Sequence, residues 1–558
     1  MPRRLLCLVV SLLLASNLGA EPVCEPLTTA VLDDHGAFER VPATAAPEFD
    51  EPLLIGEIRT ERLQIFDLTD PAEDIWLFRL ANRLHILTRE QTVLEQLQFA
   101  TGDRYNAETL RETERILRER RWLYDARVVP VQRCNDTVDV TVVTRDVWSL
   151  VGTGELDRAG GDTAVGVGIQ EVNLFGRGER LGVLYTDGVD RSGPGFFFFD
   201  DYFFGGPMAL GLSGAKLSDG GRLELDLRRP FRSLDDRLSY GFDWLFDQRD
   251  QPLFDAGERF ARFEQRHIRM RQFVAASSGR FEGAVQRWSL GFEFEDFRFD
   301  RASGPLQPER IADDRRRTWP YLRYEYIEDD FDSGLRLDFL QRPTDVYLGL
   351  RYGVTLGYAP DLLGADASRF MLRADLRNAH RLSDRWFVSW RGDVDATFRD
   401  GGSSENLVTH VQVETHFRHH EQFGFFASLE GVYTRSLTED RQLLLGGHNG
   451  LRGYPSRFQR GDRSVLLRLE ERWFSTANPF RLLLIGGAAF LDVGRAWFPG
   501  DANDSTTGWL TNVGVGLRIG NTRGSGRNLI HLDVAVPLRT GGPDVDDFLI
   551  GFTILETF

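Results

Sequence analysis

The run from Val346 to Tyr358 limits what this chain can become. Val346, Leu348, Leu350, Tyr352, Val354, Leu356 and Tyr358 fall on one face of an extended strand, and Tyr347, Gly349, Arg351, Gly353, Thr355 and Gly357 fall on the other. A period of two is a strand signal and is incompatible with an amphipathic helix. The run is longer than the usual soluble strand of about 5–6 residues and matches a tilted membrane strand of about 9–11. The same dyad returns near the C-terminus. Val513, Val515, Leu517 and Ile519 alternate with Asn512, Gly514, Gly516 and Arg518. Ile530, Leu532, Val534 and Val536 alternate with His531, Asp533 and Ala535. Ile550, Phe552, Ile554 and Phe558 form the outer face of the last strand, interrupted by Glu556 where an interfacial charge costs little. Bulky faces of this kind suit lipid, and small or polar faces suit a lumen.

No stretch beyond the N-terminus approaches the roughly 18 consecutive apolar residues that a membrane helix needs. The only sheet that crosses a bilayer is a closed one, because an open edge leaves backbone groups unpaired in lipid. A β-sandwich also alternates, but its strands are shorter, and several such domains would need linkers that are absent after residue 148. Forty-one Phe and 56 Gly fit a barrel with aromatic girdles and tight lumen positions. A net charge of -17 argues against a nucleic-acid-binding surface.

The N-terminus has Arg3 and Arg4, an apolar run from Leu5 to Leu14 and small residues up to Ala20, the pattern of a secretory signal peptide over residues 1–20. Residues 21–52 read as a linker rich in Ala, Pro and acids. Cys24 and Cys134 remain after signal removal, in a compartment that permits a disulfide, and their pairing is left open. Residues 53–146 read as a small α/β unit. Leu53 to Phe66 is a strand, and Pro71 to Leu84 a helical insertion. A helix then opens at Thr88 with Gln91 as a capping-box partner, and a second is capped by Asn106 with Leu110, Thr113 and Leu117 inside. Strands Arg127 to Val131 and Val138 to Val143 follow. The expected fold class is therefore mainly β: a transmembrane antiparallel barrel over residues 147–558, of about 16 to 20 strands, behind a small α/β domain.

Several motifs bear on function. Gly446-Gly447-His448-Asn449-Gly450-Leu451-Arg452-Gly453-Tyr454 is a glycine-rich loop that offers one guanidinium beside an aromatic ring. Glu470 and Asp492 fall on the inward faces of two neighbouring strands, so an internal ion pair or triad with Arg452 is expected. His410, His416, His419 and His420 cluster near one strand without metal-site spacing, so no metal is expected. No nucleophile elbow, zinc-protease motif or phosphate loop is present, so neither enzymatic activity nor a cofactor is expected.

Together these features resemble the BamA/TamA-type outer-membrane assembly superfamily, also called the bacterial surface antigen family. Leu451-Arg452-Gly453-Tyr454 looks like its (V/I)RG(F/Y) loop motif, and Phe490-Leu491-Asp492-Val493-Gly494 like its F-x-D-x-G strand motif. Asn173-Leu174-Phe175-Gly176, followed by Gly178, resembles its early-barrel turn, and Phe552 to Phe558 its closing strand. The α/β unit resembles one POTRA domain. The resemblance implies about 16 strands, within the even-numbered range of such barrels. It also implies a loop locked in the lumen by Arg452, Gly453, Tyr454, Glu470 and Asp492, and an insertion signal carried by Phe552, Ile554 and Phe558. A weak seam between first and last strands is implied too, where client strands pair by edge addition. The implied partners are outer-membrane lipid, unfolded outer-membrane or secreted clients, and accessory lipoproteins. A single POTRA departs both from the best-known assembly members, which carry several, and from two-partner secretion pores, which carry two; a secretion pore for one dedicated partner stands beside assembly as the second reading. A passive channel plugged by its loop is the third reading.

Overall fold

The computed structural model describes residues 24–42, 46–159, 162–188, 190–335, 344–475, 479, 482–500, 508–523, 528–538 and 545–556. The expected signal peptide and Phe558 lie outside them. The N-terminal unit contains β1 (Cys24–Pro26), α1 (Ala37–Arg40), β2 (Leu54–Leu63), α2 (Trp76–Leu84), α3 (Glu90–Leu94), α4 (Ala107–Arg118), β3 (Leu123–Cys134) and β4 (Thr137–Asp146). Its four strands form one sheet in the order β1-β3-β4-β2. The β2–β4 pair is parallel, and the other two pairs are antiparallel. Val138, Val140 and Val142 point into the core against Leu110 and Leu117 of α4 and Val93 of α3. The alternation in β4 and the three- to four-residue spacing in α4 thus bury the same core.

Asn106 caps α4, its side chain accepting from the amides of Glu108 at 2.8 Å and Thr109 at 3.2 Å. The capping box expected at Thr88 does not form. The helix begins at Glu90, its N-cap is Arg89, and no side chain caps it. Thr88 is instead drawn into a contact with the barrel, described below.

Cys24 and Cys134 are joined by a disulfide that closes a sequence separation of 110 residues. The bond ties the segment after β1 along the outer edge of β3, where the amides of Leu27 and Thr28 donate to the Val131 carbonyl at 2.9 and 3.3 Å. Arg127 of β3 donates to the Val41 carbonyl at 3.0 Å, holding the far end of the strap. Closing so long a loop stabilises the fold by about 2–4 kcal/mol. Cys134→Ser is therefore expected to lower the urea midpoint of the N-terminal unit, followed by its own amide exchange, while barrel amides stay protected.

Among the described residues, 20 of the remaining strands close a single antiparallel barrel, from Leu150–Ala159 to Leu549–Glu556. This is the upper end of the range read from the alternation, and it exceeds the count that the family resemblance implies. The Val346–Tyr358 run, expected as one strand, is divided. Thr344–Tyr347 pairs with Phe331–Leu335 in a separate hairpin, and Arg351–Ala359 alone joins the barrel. The break falls where the amides of Leu348 and Gly349 both donate to the Asp330 carbonyl, at 2.9 and 3.1 Å. A Cβ at Gly349 would come within 2.8 Å of the Glu328 carbonyl oxygen, so only glycine passes there.

The two faces of the wall have opposite chemistry. Val513, Val515 and Leu517 are exposed on the outside, whereas Asn512 and Arg518 on the same strand are fully buried inside. Trp386, Phe417, Phe423 and Trp473 stand outward at the ends of neighbouring strands on the side of the N-terminal unit. Outward aliphatics bordered by aromatics are the surface of a membrane-spanning barrel.

Candidate functional site

The long connection between strands Phe423–Arg435 and Arg463–Phe474 folds back into the barrel. Leu443–Leu445 pairs with Gln459–Gly461 as a small hairpin, and the glycine-rich stretch between them forms its tip. Leu445, Leu451, Tyr454 and Phe458 pack with Leu466, Ala496 and Leu510 of the wall into one apolar cluster. Apolar burial holds the loop down, and the ionic contacts then fix its register.

Arg452 is the centre of those contacts. Its Nε and Nη2 donate to the two carboxylate oxygens of Asp492 at 2.9 and 2.7 Å, a fork-to-fork pair. Its Nη1 donates to Glu470 at 2.8 Å and approaches Asp533 at 3.4 Å. The guanidinium carbon lies 3.5 Å from the centroid of the Phe490 ring, which it covers. Neighbours complete the carboxylate shells. Asn512 Nδ2 donates to Asp492 at 2.8 Å, Arg472 Nε donates to Glu470 at 2.9 Å, and Arg518 pairs with Asp533.

Glycine is required at two points. A Cβ at Gly453 would lie 2.6 Å from the Asn512 Cβ, and one at Gly514 would lie 2.3 Å from the Phe490 ring. Their absence lets the loop and the ring approach the wall. Tyr454 finishes the anchor: its hydroxyl donates to the Thr511 carbonyl at 3.0 Å and accepts from the Thr511 amide at 3.1 Å.

The loop also reaches the opposite wall. Arg457 pairs with Asp190 at 2.5 Å and covers the Phe254 ring at 4.0 Å. Asp440 is held bidentately by Arg315 at 2.9 and 2.8 Å. Gln442 makes two bonds to the Phe254 backbone, at 2.9 and 3.0 Å. The connection is therefore a strut across the lumen.

Sequence spacing brings together Arg452, Gly453, Tyr454, Glu470 and Asp492, and the structure seats the motif's Phe490 against the guanidinium and adds Arg472, Asn512, Arg518 and Asp533. The signal for the added residues was present as inward positions of alternating strands. Which of many inward polar residues meet is decided by register between strands, and one strand's pattern does not carry that. The four histidines do not converge on one point. His410 lies near Asp393 and Glu430, His416 sits beside the rings of Phe387 and Phe426, His419 bonds Glu471 at 2.8 Å, and His420 accepts from the Gln422 amide at 3.2 Å, with both of the last two beside the Phe423 ring.

The early-barrel turn has a role that its sequence does not announce. Asn173, Leu174, Phe175 and Gly176 form the hairpin turn that docks on the N-terminal unit. Asn173 Nδ2 donates to the Thr88 hydroxyl at 2.8 Å, and Thr88 in turn donates its amide and hydroxyl to Asp146 at 2.8 and 2.9 Å. The Gly176 carbonyl accepts from the Arg89 amide at 2.8 Å and the Thr92 hydroxyl at 3.0 Å, and the Phe175 carbonyl accepts from Arg89 Nε at 2.9 Å. A Cβ at Gly176 would stand 2.6 Å from the Leu87 carbonyl oxygen, and one at Gly178 would stand 2.9 Å from the Trp122 indole nitrogen. Asn173→Ala leaves buried partners unmet, at a cost of about 1–3 kcal/mol. The amides of Arg89 and Gly178 are expected to exchange about tenfold faster or more in that variant.

Helix α4 extends this junction along the same end of the barrel. Arg118 donates to both carboxylate oxygens of Asp345 at 3.0 Å. Glu112 accepts from the Leu234 amide and from Arg280, both at 2.8 Å. At the other side, Arg523 pairs with Glu73 and its carbonyl accepts from the Trp148 amide at 3.0 Å. Arg145 lies close by, and burial, then the charge of Arg523, pulls its pKa down to about 10.

The barrel's closing strands meet sparingly. Leu150–Ala159 pairs with Asp162–Leu174 from Leu150↔Glu171 to Ala159↔Asp162. Leu549–Glu556 pairs with Asn528–Pro537 from Asn528↔Glu556 to Ala535↔Leu549. Between the first and last strands, the one ladder pair among the described residues is Phe552↔Arg158. Ile554 lies opposite Ile530 on the other side of the last strand.

No family model and no curated protein matches the chain. Among solved structures it is similar to BamA from Haemophilus ducreyi lacking POTRA domains 1-3, at 12% identity and a TM-score of 0.39, covering 90% of this chain and 85% of that one. It is similar to CdiB from Acinetobacter baumannii at 11% identity and a TM-score of 0.45, covering 90% of this chain and 74% of that one. CdiB from Escherichia coli gives 12% identity and a TM-score of 0.44, with 92% and 93% covered.

Proposed function

We propose that the chain is an outer-membrane barrel that assists the insertion and assembly of outer-membrane proteins, with a POTRA-like N-terminal domain in the periplasm. The observation that carries this reading is the seam. The first and last strands are fully laddered on their outer sides, yet share only Phe552↔Arg158 among the described residues. A sparsely laddered joint between two strands is a place where an incoming strand can add, and main-chain bonds supply affinity without demanding one client sequence. A second edge is offered by β2. The outer edge of β3 is covered by the disulfide-tied strap, whereas β2 pairs with β4 on one side and, on the other, its backbone bonds among the described residues go to the Gly102–Tyr105 turn at its start, with the Thr60 and Arg62 side chains reaching Glu90 and the Thr88 carbonyl. Clients would engage β2 in the periplasm and the seam in the membrane, while the Arg452 lock keeps the adjoining wall rigid.

The test is reconstitution of the full chain in liposomes with unfolded client barrels. Faster folding of several unrelated clients than in empty liposomes is the expected result. No acceleration for any of them would remove the assembly reading.

A further inference from the structure

Helix α2 is not used by this proposed function. It has a buried side, where Phe78 stacks on Phe66 at 3.9 Å and Asn82 makes two bonds to the Phe66 backbone, at 3.1 and 2.8 Å. Ala81, Trp148 and Leu482 pack against the same cluster. Its opposite side is apolar and open: Trp76 is 70% exposed and Leu84 62%, with Leu77 and Leu80 between them also exposed. At 100° per residue these four fall within one quadrant or little more, and Arg79 and Arg83 border them. A soluble domain gains nothing by holding such a face in water.

The place of the helix identifies what covers it. Leu482 belongs to the turn that leads into the barrel strand Leu483–Trp497, and Thr522, in the next turn on that side, donates its amide to the Leu482 carbonyl at 2.9 Å. Arg523, beside it, pairs with Glu73 just before the helix. Helix α2 is thus fastened to the rim of the wall, where the outward stripe Val513, Val515 and Leu517 descends from one strand and Trp473 ends another. Its exposed apolar face thus stands at the end of the wall where the outward aromatics Trp386, Phe417, Phe423 and Trp473 lie. Arg83 borders the apolar face, and Arg79 beside it is held by Asp74 at 2.6 Å; an apolar face edged by arginine is the residue pattern of an interfacial helix.

We propose that α2 is an interfacial anchor whose Trp76, Leu77, Leu80 and Leu84 face lies in the headgroup–acyl boundary of the phospholipid surface around the barrel's near end. The anchor fixes the N-terminal unit against the membrane on one side of the barrel mouth. It rests on the membrane-spanning reading of the barrel and is independent of client insertion.

The experiment places a nitroxide spin label on Leu80→Cys in the full chain, reconstituted in vesicles of phosphatidylethanolamine and phosphatidylglycerol. Cys24 and Cys134 are bonded to each other, and Cys7 falls in the expected signal peptide, so the new thiol takes the label. Val515→Cys on the outer wall and Thr101→Cys in an exposed turn serve as references. The expected result is that the label at position 80 collides more with oxygen than with a water-soluble nickel chelate, as at 515, and opposite to 101. Depth should be about 5–10 Å below the headgroups. Nickel accessibility at 80 equal to that at 101 would overturn the proposal while leaving the barrel reading intact. Protection from both relaxants would overturn it too, because a protein surface then covers the helix. If Leu80→Cys does not give the compact barrel on unheated gels, Leu84→Cys reads the same face one turn later.

Discussion

Arg452→Ala is expected to cost the barrel about 3–5 kcal/mol, the penalty for leaving a buried carboxylate without its counter-ion. Asp492 is wholly buried and Glu470 nearly so, and both take charge-assisted bonds from the same guanidinium. The gain from such a group in the intact protein is smaller than the loss on breaking it, because desolvation offsets much of the attraction. That asymmetry can be tested. Asp492→Asn in the Arg452→Ala background removes the orphaned charge and should recover part of the loss, so the two changes are non-additive. Arg452→Lys should fall between, since one ammonium cannot reproduce the fork to Asp492 while also reaching Glu470. The readout is the fraction of protein that still runs as a compact barrel on unheated gels across a urea series. Client folding in liposomes, measured on the same samples, should fall in the same order. Wild-type resistance and wild-type activity in Arg452→Ala would remove the lock from the account.

Closing the seam covalently is expected to have the largest effect on function. Phe552 and Arg158 are directly opposed, so Phe552→Cys with Arg158→Cys places two thiols across the joint. Oxidation should form a disulfide, leave the barrel compact, and reduce client folding to the rate in empty liposomes. Reduction should restore it, which separates a blocked edge from a damaged fold. Each single variant serves as a control and should stay active. Full activity with the joint cross-linked would mean that clients do not enter there, and a dedicated conduit through the lumen would become the better reading.

How much of this was legible in the chain differs by element. Strand alternation, with Val515 out and Arg518 in, follows from the pleat and needs no tertiary information. The cap at Asn106 is similarly local, because its side chain bonds amides two and three residues on. The Arg452 loop was legible as a motif and its two carboxylates as inward positions. Their convergence on one guanidinium depends on the register of Arg463–Phe474 against Leu483–Trp497 and on where the loop folds back. Thr88 shows the opposite case. Its local pattern reads as a capping box, but Asp146 and Asn173 are better partners once the turn docks, and the cap is given up.

The sequence by itself determined the kind of wall this protein builds: which residues face outward, which face inward, and that no helix crosses for it. Those choices depend on neighbours two residues apart, and the chain carries them everywhere. Only the tertiary structure decided that, among the described residues, 20 strands close the wall and that the Val346 run breaks at Gly349. It also decided that Cys24 meets Cys134, and that the Asn173–Gly176 turn is the seat of the N-terminal unit. Each of these joins residues far apart in sequence, and their energies are set by close approach that no local pattern encodes.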